Sequence, residues 1–124
     1  MTQVNDNLVL IGGKSAAGKS ASLMHLKDPE GVMYLNCEAG KKLPFRTNFK
    51  QFTITDPHQV YEAFEHAESD PKIHTIVVDT LTYLLEMYES LFIHNSANGQ
   101  KAWGDFSHYF KTLMQSYVAK STKN

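Results

Sequence analysis

The residues best placed to do chemistry are Gly13-Lys14-Ser15-Ala16-Ala17-Gly18-Lys19-Ser20, a full match to the pattern G-x-x-x-x-G-K-[ST]. Glycines in such a loop let the backbone curl until several N–H groups point inward at a polyphosphate. A helix that opens directly after the loop adds the partial positive charge of its N-terminus. Lys19 then reaches the β- and γ-phosphates, and the Ser20 hydroxyl ligates Mg²⁺. Gly13, Lys14, Ser15, Ala16, Ala17, Gly18, Lys19, Ser20 and Ala21 are the expected nucleotide-binding residues, with Lys19 also in a catalytic role.

The loop needs a strand before it and a helix after it. Leu8-Val9-Leu10-Ile11-Gly12 reads as a short buried strand, and Ala21 to Leu26 as the start of a helix. Asp28-Pro29-Glu30-Gly31 is a turn. Val32 to Cys37 forms a second apolar strand, and the alternating segment Gln51 to Thr55 a third. Asp56-Pro57-His58-Gln59 starts a helix, with Asp as cap and Gln closing the box. Val60, Ala63, Phe64 and Ala67 give that helix its apolar face, and it ends near Ser69-Asp70-Pro71.

Ile73 to Asp79 is the clearest strand, a β-branched run of the kind buried on both faces of a parallel sheet. Leu81, Leu84, Leu85, Tyr88, Leu91 and Phe92 then recur at helical spacing. Asn95 to Gly99 breaks that helix. A last helix carries Trp103, Phe106, Phe110, Leu113 and Tyr117 along one stripe. Strands alternating with helices indicate a doubly wound α/β fold in one domain spanning residues 1–124.

Two carboxylates complete the candidate site. Asp79 ends its strand at the carboxyl edge of the sheet, where it would hold the Mg²⁺ shell; the bland alternative is a cap for the next helix, shared with Thr80. Glu38 follows the second strand at the same edge. It is either a base for an attacking water or a solvated turn residue beside Ala39-Gly40, and spacing does not separate the two.

Composition bounds what else the chain does. It has 124 residues, 42% of them hydrophobic, enough for one real core. No stretch reaches the length of a membrane-spanning helix, so no membrane partner is expected. Cys37 is the single cysteine, which suits a reducing cytoplasm. The formal net charge is -1, so no global basic field attracts nucleic acid. Lys41, Lys42, Arg46 and Lys50 form a local positive cluster: a solvated loop, or a contact for the phosphates of a nucleotide or of DNA. The six histidines show no spacing suited to zinc. The aromatic stripe of the last helix reads as core; Trp103, Phe106 and Tyr109 would need exposure to stack bases.

The phosphate loop, the strand ending Asn36-Cys37-Glu38 and the run Ile76-Val77-Val78-Asp79-Thr80-Leu81 together resemble the RecA-like recombinase ATPases. Within that family the chain is similar to the small phage-type ATPases of recombination and single-strand annealing. The resemblance spans roughly residues 8–85. It implies ATP and Mg²⁺ as cofactors, Glu38 as catalytic base and Asp79 as the Walker B carboxylate. It also implies Phe45 as an aromatic contact near adenine, single-stranded DNA and further copies of the chain as partners, and the host cytoplasm as location for a phage protein. The family's γ-phosphate sensor and DNA-binding loops come after the Walker B helix and have no counterpart here. The chain is therefore expected to be the N-terminal portion of a RecA-like core. In that core a later strand, one this sequence does not supply, separates the phosphate-loop strand from Ile73–Val78.

Two other readings share the loop. A nucleoside or nucleotide kinase transfers phosphate to a small acceptor, normally with several arginines in a lid; Arg46 is the only arginine here. A kinase-type sheet pairs Leu8–Ile11 directly with Ile73–Val78. A nucleotide-dependent binding module with little hydrolysis has no need of Glu38.

Overall fold

The computed structural model describes residues 8–9, 21–38, 42–94 and 96–124. Three strands form one parallel sheet: β1 (Val32–Asn36), β2 (Lys50–Thr53) and β3 (Thr75–Asp79), in the order β2-β1-β3. The register places Tyr34 beside Val77 and Asn36 beside Asp79. Pairing runs past the strand ends, since Cys37 N–H donates to the Asp79 carbonyl at 2.8 Å and Ile54 N–H to the Asn36 carbonyl at 2.8 Å.

Side chains alternate between the two faces of a strand, and β1 is buried on both. Met33 and Leu35 join Ile76 and Val78 under three helices. These are α1 (Gln59–Ser69), α2 (Leu81–Tyr88) and α3 (Gly99–Thr112), and they contribute Val60, Phe64, Leu84, Tyr88, Ala102 and Tyr109. On the other face Val32, Tyr34 and Val77 pack with Leu23 and Phe49. The architecture is therefore parallel α/β, as the alternation of periods in the sequence indicates.

The start of α1 keeps half of the expected capping box. The Gln59 carboxamide oxygen accepts from Asp56 N–H at 3.2 Å and from Thr55 N–H at 2.8 Å. Asp56 in turn receives His58 N–H at 2.9 Å. The Asn98 side chain caps α3 by accepting from Lys101 N–H at 3.1 Å.

Several expectations need correction. Ala21–His25 is a 3₁₀ turn rather than α-helix, with Leu23 as its buried residue. Leu8 and Val9 belong to no strand and are 56% and 76% exposed; no described strand lies beside them to bury them. Leu10 and Ile11 lie outside the described residues.

After α2 the chain makes a π-turn, Glu89–Ile93. The extra residue per turn advances the phase, so Ile93 turns inward while Leu91 and Phe92 stand 43% and 36% exposed. Along α3 and into the π-turn Leu113–Val118 the buried line is Ala102, Tyr109 and Leu113, with Phe106 partly buried and Trp103 49% exposed. The stripe is rotated by about one residue, because Tyr109 is drawn in. Its hydroxyl donates to the Pro57 carbonyl at 2.7 Å, and its ring stacks on Tyr61 at 5.1 Å.

Candidate active site at the carboxyl edge of the sheet

Asp79 closes β3 with only 8% of its surface exposed. Its neighbours explain how an acid tolerates that position. The Tyr34 hydroxyl donates to Oδ2, and Thr80 Oγ1 donates to Oδ1 at 2.6 Å. A buried carboxylate gripped by two O–H donors recovers much of the hydration it gives up. The Asp79–Thr80 peptide bond is cis. The Thr80 side chain makes no capping bond to α2; its hydroxyl is spent on Asp79.

Glu38 lies two residues beyond β1, half-buried, with its N–H donating to the Asn36 side-chain oxygen at 2.9 Å. That Asx-type turn fixes the Glu38 backbone just past the end of β1, next to the strand end at Asp79. The two acids share one electrostatic neighbour. The Tyr34 hydroxyl is pushed above the ordinary tyrosine range by burial first, then by its bond to Asp79 and that residue's charge, with Glu38 adding a smaller push. Tyr34 therefore stays protonated and remains a donor. Cys37, between these residues in the chain, is pushed up to about 12 by burial and by Asp79, so it is an inert core thiol.

The expected phosphate-loop residues 13–20, including Lys19 and Ser20, lie outside the described residues. Ala21, the last of the expected nucleotide-binding residues, opens the 3₁₀ turn. That turn brings Leu23 onto the sheet face that carries Tyr34. By the alternation of β3, Asp79 belongs to the same face as Val77.

Phe45 packs edge-on against Phe49 at 5.9 Å, plugging its loop onto the core. It also lines a cleft of about 300 Å³ floored by Asn36, Gln51 and Thr53, with Lys42 and Phe52 alongside. The positive cluster is divided. Lys50 pairs with Asp70 at 3.7 Å, Lys42 and Arg46 are exposed, and Lys41 lies outside the described residues.

Among the described residues no group of three or more acid, histidine or cysteine side chains converges as a metal cage. Mg²⁺ bound with a nucleotide takes most of its ligands from phosphates and water and needs only one or two carboxylates. A buried, oriented Asp79 at the sheet edge fits that demand. No helix among the described residues is long and apolar enough to cross a membrane.

The fold and the site together define a parallel α/β protein with a two-carboxylate sheet edge. No protein-family model, curated protein or solved structure matches the chain.

Proposed function

We propose that this chain is the nucleotide-binding core of a Mg²⁺-dependent, RecA-like ATPase that acts in DNA recombination or single-strand annealing. The observation that carries the reading is the placement of Asp79 at, and Glu38 just past, the carboxyl ends of adjacent parallel strands, in a chain whose sequence holds a complete G-x-x-x-x-G-K-[ST] pattern. Lys19 and the loop backbone bind the β- and γ-phosphates, and Ser20 with Asp79 holds the metal shell. When bound, Mg²⁺ neutralises charge on the phosphates during transfer. Glu38 orients and deprotonates the attacking water. Phe45 offers the adenine an aromatic face in its cleft.

One observation favours this reading over a kinase: the edge of β3 away from β1, where a kinase-type sheet seats the phosphate-loop strand, receives the backbone of Asn124.

Assembly into a homo-oligomer on single-stranded DNA belongs to the same proposal. With a net charge of -1, the chain alone is expected to bind DNA weakly and salt-sensitively, through Lys41, Lys42, Arg46 and Lys50. Calorimetry with ATP and Mg²⁺ tests the site. Lys19→Ala is expected to abolish binding, and Asp79→Asn to weaken it only when Mg²⁺ is present. Parent-like affinity in both variants refutes the assignment.

A further inference from the structure

We propose that Tyr34 is a positioning residue for Asp79, holding its carboxylate in the orientation that receives the Mg²⁺ shell of a bound nucleotide. The inference rests on the nucleotide reading above and adds to it a residue that no motif contains.

Tyr34 stands opposite Val77, two residues short of Asp79. Two residues of parallel strand cover about 6.6 Å, a distance a tyrosine side chain spans from backbone to hydroxyl. Its ring is held firmly: the residue is 1% exposed, lies among Leu23, Val32 and Phe49, and stacks on Phe49 at 6.3 Å. The hydroxyl thus emerges from a packed core at a fixed point on the sheet edge and donates to Asp79 Oδ2. Thr80 holds the other oxygen. A carboxylate gripped at both oxygens, by Tyr34 from the neighbouring strand and by the next residue of its own chain, is held against rotation about its Cβ–Cγ bond. It presents one geometry to a metal instead of several. Donors behind a metal-binding carboxylate typically change metal affinity by about 10–100-fold when removed.

The experiment is a calorimetric titration of the parent protein, Tyr34→Phe, Thr80→Val and Asp79→Asn with ATP, once with Mg²⁺ and once with a chelator. Tyr34→Phe keeps the ring in the core and removes only the donor. It is expected to lower affinity for Mg²⁺ in the ATP complex by about 10–100-fold, with metal-free ATP binding at the parent value. Thr80→Val, which removes the donor on the other oxygen, is expected to shift Mg²⁺ affinity in the same direction. Parent-like Mg²⁺ affinity in Tyr34→Phe beside a weakened Asp79→Asn overturns the proposal. So does an equal loss with and without Mg²⁺, which marks Tyr34 as a packing residue alone. A parent protein that binds no ATP under either condition refutes the nucleotide reading itself, and this proposal with it.

Discussion

Asn124 stands opposite Thr75 as a parallel-strand partner: its N–H donates to the His74 carbonyl at 3.0 Å and its carbonyl accepts from Ile76 N–H at 2.8 Å. These two bonds lie on the edge of β3 away from β1. The tail reaches that edge because α1 guides it. The Glu68 carboxylate accepts the Ser121 hydroxyl, together with the Thr122 N–H at 3.0 Å and hydroxyl at 2.8 Å. Lys123 Nζ donates to the Asp70 carbonyl at 3.2 Å.

Glu68 is therefore the latch of the tail. Burial pulls its carboxyl up, but donation from Ser121 and Thr122 and the charge of Lys123 win, and the net is below the ordinary glutamate range. A lowered folded value contributes stability that is present above the unfolded pKa of about 4.3 and is lost as pH falls through the folded value. Glu68→Ala at neutral pH, or acid in the parent, is expected to free the tail. Amide exchange at Ile76 reads this directly, and unchanged protection in Glu68→Ala contradicts it.

Glu38→Gln keeps the size and the backbone turn of the residue and removes its basicity. Under the proposed ATPase reading, the assembled variant is expected to bind ATP normally and to hydrolyse it about 10²–10⁴-fold more slowly. A steady-state phosphate-release assay decides, and normal turnover removes Glu38 from the chemistry.

Two glycines predict opposite signs. A Cβ on Gly31 would lie 2.3 Å from His74 Cδ2 and 2.7 Å from the Lys72 carbonyl oxygen. Gly31→Ala is expected to cost about 1–3 kcal/mol, since backbone has to move. Gly104, within α3, has nothing within 4 Å of its would-be Cβ. Gly104→Ala is expected to stabilise by about 0.5–1 kcal/mol through helix propensity. Denaturant melts of the two variants test the pair.

Cys37 is 3% exposed with a thiol pushed up to about 12. Thiolate is the reactive form. A disulfide reagent at pH 8 is expected to label the folded protein far more slowly than the denatured one, and equal rates would place the thiol at the surface.

Much of the fold was legible from periodicity. The three strands, the α1 boundary at Ser69 and the alternation of strand and helix all follow from local pattern. Those patterns are set by burial on a repeating backbone geometry. The phases of the two later helices were not legible. Glu89–Ile93 and Leu113–Val118 are π-turns, and no local residue signal announces the extra residue that turns Ile93 inward and leaves Leu91 out.

The sequence by itself determined the chemistry on offer: a G-x-x-x-x-G-K-[ST] pattern at residues 13–20, and acids at Glu38 and Asp79 following β-rich runs. Tertiary structure decided what surrounds Asp79. The pairing of β1 with β3 brings Tyr34 within reach of Asp79 across 45 positions of chain. Only the parallel register and the packing of Leu23 and Phe49 against the Tyr34 ring fix which hydroxyl faces which carboxylate. A one-residue slip would turn Tyr34 to the opposite face, because side chains alternate with period two.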